Sequence, residues 1–91
     1  MNPKIKTTRS TWLGRAGIST VYSFDSSQLG KRIDVMVWLD DPGIAHIHAL
    51  KGSFWRGPKG YTYEETTISN DAESITAEVS RLAAKHFGKA A

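Results

Sequence analysis

The stretch Arg32-Ile-Asp-Val-Met-Val-Trp-Leu39 decides the fold of this 91-residue chain. Its aliphatic residues recur at every second position, and this strict alternation is typical of a β-strand with one buried face. The residues that follow, 40–43, read Asp-Asp-Pro-Gly, a composition that ends a strand in a turn. We therefore predict a central strand over residues 32–39, with the rest of the chain packed around it.

Further strands are predicted on both sides of the central one. Segments 18–24, 44–50 and 61–68 are rich in β-branched and aromatic residues. Residues 5–12 belong to a Thr- and Ser-rich segment that is compatible either with an edge strand or with a flexible arm over residues 1–15. A turn is predicted at residues 14–17. The sheet therefore has four or five antiparallel strands.

The pairing of the central strand with segment 44–50 decides which side chains share a face. If residues 40 and 43 pair directly, Val37 lies opposite His46 and the histidines enter the apolar face. If residues 41–43 form the loop, Val37 lies opposite Ile47, and Trp38 lies opposite His46. We favour the second register because it keeps apolar side chains together, and a slip of one residue would invert the burial of every side chain.

The C-terminal segment is predicted to be an amphipathic helix packed on one face of the sheet. Apolar residues recur at helical spacing from Ile75 to Phe87, and Asn70 is the predicted N-cap, with Glu73 three residues later. Gly88 is expected to end the helix. The predicted fold is therefore a single small α+β domain over residues 1–91, with a frayed tail at 89–91.

Composition limits the classes of function. The chain has no cysteine and no apolar run long enough to span a bilayer, and its N-terminus lacks the apolar region of a secretory signal. We therefore expect a cytoplasmic protein with no membrane association. The net charge is +3, and the positive charge is concentrated in residues 1–24 and 51–60. This distribution favours an anionic partner.

Catalytic and metal-binding patterns are weak. No serine lies in a Gly-x-Ser-x-Gly turn, and the adjacent Glu64 and Glu65 point to opposite faces of a strand. His46 and His48 share one strand face, but a metal site needs a third ligand, and His86 is predicted on the far side of the sheet. We predict that the protein is not an enzyme and holds neither a metal nor another cofactor.

The face of the sheet away from the helix is the predicted binding surface. Exposed aromatic side chains interleaved with basic ones can stack on nucleic-acid bases and contact phosphates, and similar residues dominate protein–protein hot spots. The predicted site combines residues of this face with the basic loop that follows residue 50: Arg32, Trp38, His46, His48, Lys51, Phe54, Trp55, Arg56 and Lys59. The competing interpretation is that the N-terminal segment covers this face and buries Trp38 with Trp12.

Two functions follow from the predicted surface. The first is a non-enzymatic module that binds nucleic acid or a nucleoprotein. The second is an inhibitor or adaptor that binds an acidic or nucleic-acid-binding protein surface, with Trp55 and Tyr61 as anchors and the basic residues steering it to its partner. In architecture alone, the sheet-plus-helix plan is similar to that of small phage and plasmid proteins, including some anti-CRISPR inhibitors. A homodimer is compatible with either function.

Overall fold

The computed structural model describes residues 3–24, 30–51 and 61–88. Within these ranges one helix, α1 (Ala72–Leu82), continues as a π-helical segment over Ala83–Phe87. Five strands pair in chain order into one antiparallel sheet: β1 (Lys4–Trp12), β2 (Arg15–Ser23), β3 (Lys31–Trp38), β4 (Ile44–Lys51) and β5 (Tyr61–Ser69). The predicted α+β class, an antiparallel sheet with a C-terminal helix on one face, is confirmed.

The N-terminal segment is the edge strand β1, so the flexible-arm prediction is wrong. It pairs with β2 from Lys4 to Trp12 and does not fold back over the sheet. The predicted turn at residues 14–17 is also wrong in its position. The turn consists of Leu13 and Gly14, which both have positive φ, 50° and 79°, as the tight turns of hairpins require. The three residues after them belong to β2.

The register of β3 with β4 differs from both predictions. Val35 lies opposite Ile47, and Met36 lies opposite His46, so the pairing is shifted by two residues from the favoured register. The loop between these strands therefore spans the five residues 39–43. Because a shift of two keeps every side chain on its predicted face, the histidines still point away from the helix.

The hydrophobic core lies between α1 and strands β3 to β5. Ile33, Ile47 and Leu82 are 0% exposed, and Val35 and Val79 are almost fully buried with them. The Phe87 ring anchors the end of the π-helical segment, with its centroid 5.6 Å from that of Phe24. Predicted helix contacts of Ile75 and Val37 lie at the edge of the core, where both side chains are half-buried.

The ends of the helix follow local hydrogen bonding. The N-cap is Asp71, not Asn70: Asp71 Oδ1 accepts a hydrogen bond from the Ser74 N–H at 2.7 Å. Asn70 instead ties the helix start to the β3–β4 loop, because its Nδ2 donates to the Pro42 carbonyl at 2.8 Å. Gly88 ends the helix with φ 65°, as predicted from its position.

Glu64 joins β5 to the end of the helix. Its carboxylate accepts hydrogen bonds from Arg81 Nη2 at 2.8 Å, Lys85 Nζ at 2.9 Å and His86 Nε2 at 2.8 Å. These three hydrogen bonds, that of Arg81 foremost, lower the pKa of Glu64 to about 2. The ladder of β4 and β5 shifts beside it, so that Tyr63 is an extra residue and stacks on the His86 ring.

Candidate functional site

The side of the sheet that faces away from α1, here called the open face, is built from the alternate residues of all five strands. One row across it runs through Lys6, Val21, Asp34, His48 and Glu65, each opposite the next. Neighbouring strands lie about 4.8 Å apart, so such a row brings residues distant in sequence together. The pairing of the strands therefore determines which residues meet on the open face.

A cavity of about 200 Å³ lies at the centre of the open face. Strands β1 to β4 all contribute side chains to it, and the lining residues are Trp12, Ser19, Asp34, Met36, Trp38, His46 and His48. Trp12 is 45% exposed and Trp38 is half-buried, so neither indole is sealed from solvent. The interpretation in which the N-terminal segment buries Trp38 is therefore wrong, because β1 lies beside β2 and contributes Trp12 to the wall.

The Trp38 ring is held by a cation. The guanidinium carbon of Arg15 lies 4.6 Å from the centroid of the Trp38 ring, within the range of a cation–π contact. The same guanidinium donates hydrogen bonds to the Asp40 carboxylate, from Nε at 2.9 Å and from Nη2 at 2.7 Å. This pairing lowers the pKa of Asp40. Trp38 therefore contacts Arg15 and also lines the cavity.

Asp34 is the unusual polar group of the cavity. Its Oδ1 atom is inaccessible to solvent and accepts no hydrogen bond from the residues that the structure describes. Burial raises the pKa of the Asp34 carboxyl, and the positive charges of Arg32 and His48 oppose this rise. A buried carboxylate oxygen without a donor is costly, and the Asp34 side chain also lines the cavity.

Basic side chains flank the cavity. Strand alternation places Lys4 and Lys6 of β1 on the open face with Trp12, and the register aligns Lys4 with Ser23 and Arg32 across three strands. Arg9 lies on the opposite side of β1. Among the described residues of the open face, Lys4, Lys6 and Arg32 add positive charge beside the cavity.

The structure brings together four of the nine predicted site residues. Arg32, Trp38, His46 and His48 share the open face, and the last three line the cavity. Four other predicted residues lie outside the described part of the chain, namely Phe54, Trp55, Arg56 and Lys59.

Two predictions for the end of β4 need correction. Lys51 pairs with Lys31, whose Nζ lies 6.0 Å from the centroid of the Phe87 ring on the helix side, so Lys51 is not part of the open face. Leu50, predicted as an exposed neighbour of the histidines, is only 1% exposed. The β3–β4 ladder is unbroken here, so Leu50 lies opposite Arg32 on the open face and is nevertheless buried, while alternation places Lys51 on the other face.

Sequence reasoning missed four contributors to the cavity as site residues: Trp12, Ser19, Asp34 and Met36. Strand alternation places Asp34 and Met36 on this face, but neither was assigned to the site. Trp12 was expected only as a lid for Trp38. A two-residue turn at Leu13 and Gly14 would have paired Trp12 with Arg15 and so placed its ring on this face.

Among residues 3–24, 30–51 and 61–88, no three histidine, aspartate or glutamate side chains converge as metal ligands would. Within those ranges, no helix combines the length and the apolar character needed to cross a bilayer.

The chain was compared with protein-family models, with curated proteins and with solved structures, and none of the three comparisons found a match.

Proposed function

We propose that this protein is a non-enzymatic module that binds single-stranded nucleic acid through its open face. The observation that carries the proposal is the cavity lined by Trp12 and Trp38 and flanked by Lys4, Lys6 and Arg32. Unpaired bases expose aromatic faces that stack on such rings, and the phosphates beside them attract lysine and arginine.

The face of a β-sheet is a suitable platform for this kind of binding. Successive side chains on one face of a strand are about 7 Å apart, and on β1 Lys4 and Lys6 lie at one end and Trp12 at the other, so one nucleotide strand could contact the ammonium groups and the indole. Three cations at the phosphates of a single strand predict that log K falls with log salt at a slope of about −2. We therefore expect a loss of affinity of roughly twentyfold between 50 and 200 mM salt.

The experiment is a salt titration of binding to a fluorescently labelled single-stranded oligonucleotide. Lys6→Gln is expected to reduce the salt slope by about 0.7, because one phosphate contact is lost. Arg9→Gln is the matched control, since it removes the same charge from the same strand on the opposite side. Equal slopes for the two variants, or binding that does not respond to salt, would contradict the proposal.

The indoles are tested separately. Trp12→Ala is expected to weaken binding by about tenfold, since one stacked base contributes roughly 1–3 kcal/mol. Leu39→Ala is the matched control, because Leu39 is 46% exposed, close to the 45% of Trp12, and does not line the cavity. If both variants bind equally well, stacking on the open face is not the source of affinity.

An inhibitor that binds a protein is the second candidate function. Leu13 at the tip of the β1–β2 turn is 91% exposed, and Leu39 at the neighbouring turn is 46% exposed. Exposed apolar side chains of this kind occur at protein interfaces. Affinity capture that survives nuclease treatment, and that is lost for Leu13→Asn, would favour this candidate over nucleic-acid binding.

A further inference from the structure

We propose that the cavity of the open face holds one unpaired base that carries an exocyclic amino group, with Asp34 accepting a hydrogen bond from that group. This inference rests on the proposed function and names the base that the cavity selects. It follows from the size of the cavity, from the chemistry of Asp34 and from the charge around the rim.

The size of the cavity fits a base. A cavity of roughly 150 Å³ is large enough to bind a benzene ring, so the volume of about 200 Å³ here accommodates a larger planar aromatic ring. Trp12 and Trp38 supply aromatic surface in its wall, and Met36 adds a polarizable thioether. A planar ring entering from the open side would therefore meet both indoles.

Asp34 selects among the bases. An ionised carboxylate only accepts hydrogen bonds, and the Asp34 side chain lines the cavity. Adenine, cytosine and guanine each carry an amino group with two N–H donors. Thymine and uracil instead carry a carbonyl oxygen on each side of their single ring N–H, and these oxygens would repel the carboxylate. The Asp34 carboxylate, which lines the cavity, thus favours an amino-bearing base.

The charge of the surroundings argues for a base rather than an organic cation. Two indoles and a carboxylate can also form a cage for an ammonium group. In this protein, however, Arg15 already lies over the Trp38 ring, and Lys4, Lys6 and Arg32 share the same face. These positive charges disfavour a second cation and favour a ligand that combines N–H donors with an adjacent phosphate.

The test uses oligothymidines of about ten nucleotides, within the range of site sizes of single-strand binders. One oligonucleotide is all thymidine, and two others carry a single deoxycytidine or deoxyadenosine at the centre. We expect the two substituted strands to bind the full-length chain about tenfold more tightly than the all-thymidine strand, as a hydrogen bond to a charged group implies. Asp34→Asn is expected to abolish this difference, because its amide also donates. Glu65→Gln, on the same row of the sheet, is expected to preserve it.

The outcomes separate this inference from the proposed function. Equal, salt-dependent binding of all three strands would overturn the base assignment and leave the proposed function standing. Failure of every strand to bind would overturn both. Should Asp34→Asn fail to fold, the comparison of strands on the unmodified protein still decides. Deoxycytidine monophosphate is tested beside the strands, and competition by it would show that a free nucleotide suffices. Competition by tetramethylammonium instead would overturn the assignment of the cavity to a base.

Discussion

Gly17 lies directly opposite Trp38 in the ladder of β2 and β3, and the indole occupies the space that a side chain at Gly17 would need. A Cβ atom at Gly17 would come within 3.0 Å of Trp38 Cε3 and within 2.8 Å of Met36 Sδ. A glycine inside a strand commonly marks such a close approach. The wall of the cavity therefore depends on a residue that does not itself contact a ligand.

Gly17→Ala is expected to displace the Trp38 ring. The added methyl group overpacks the site against Met36 and the indole, at a cost of about 1–3 kcal/mol in the free energy of unfolding. Tryptophan fluorescence and thermal unfolding would report the change. Gly43→Ala is the control, because nothing lies within 4 Å of a Cβ built there. Identical spectra and melting temperatures for the two variants would show that the indole is not so confined.

Asp34→Asn is expected to stabilise the protein at neutral pH. The folded-state pKa of Asp34 is raised by burial, so the unfolded chain loses this proton more readily, and the carboxylate destabilises the fold as the pH rises through the folded pKa. An asparagine removes the charge, and we expect a gain of about 1 kcal/mol near pH 7. The gain should vanish below the unfolded pKa of Asp34. Thermal unfolding as a function of pH measures it, and a loss of stability at pH 7 would contradict the account.

Glu64→Gln is expected to destabilise the junction of β5 with the helix end. The pKa of Glu64 is lowered to about 2 in the folded state, so its ionised form stabilises the fold at any pH above the unfolded value of about 4.5. This contribution declines as the pH falls from that value through about 2. The melting temperatures of the variant and the unmodified protein should thus converge in acid. Glu65→Gln, its neighbour on the open face, should show a much smaller difference at pH 7.

The two polar residues at the helix start are expected to respond differently to substitution. Asp71→Asn retains an oxygen that can cap the helix, whereas Asp71→Ala leaves the Ser74 N–H without its partner and should lower the melting temperature by a few degrees. Asn70→Asp removes the N–H that bonds Pro42 and should leave helix content unchanged. Circular dichroism and thermal unfolding distinguish these effects. A larger loss of helix for Asn70→Ala than for Asp71→Ala would restore Asn70 as the cap.

Leu13→Asn is expected to stabilise the β1–β2 hairpin. Leu13 has φ 50°, a conformation that costs a leucine about 1 kcal/mol and that asparagine tolerates, and Asn-Gly is the preferred sequence for this turn. Because Leu13 is 91% exposed, its replacement removes little packing. Chemical denaturation should show a gain of about 0.5–1 kcal/mol. A loss of stability would mean that the leucine makes contacts that its exposure does not suggest.

The faces of the strands were predictable because burial enforces them. The alternation of Ile33, Val35 and Val37 is compatible with one orientation only, and the structure has it. The two-residue error in register has a different origin. A shift of the pairing by two residues leaves the burial of every side chain unchanged, so the hydrophobic pattern cannot exclude it. The length of the loop over residues 39–43 depends instead on backbone hydrogen bonds, such as that from Asp41 N to the Trp38 carbonyl.

Other features of the site were beyond sequence reasoning for local reasons. Asparagine and aspartate are equally good N-caps, so the sequence could not choose between Asn70 and Asp71. The fold decides, because Asn70 bonds to the Pro42 carbonyl in the β3–β4 loop. Gly17 was predicted to belong to a turn, because nothing in the sequence shows that an indole lies against it in a strand. The raised pKa of Asp34 depends on burial by neighbouring strands, which alternation alone does not reveal.

Because β1 is an edge strand, it exposes the protein to aggregation in concentrated solution. Its outward N–H and C=O groups form a template on which another copy could add, as in amyloid growth. Lys4, Lys6 and Arg9 lie along this strand, and their mutual repulsion is expected to keep copies apart. Neutralising all three is expected to make the protein precipitate, so Lys4 and Lys6 would serve solubility as well as the proposed contacts with phosphates.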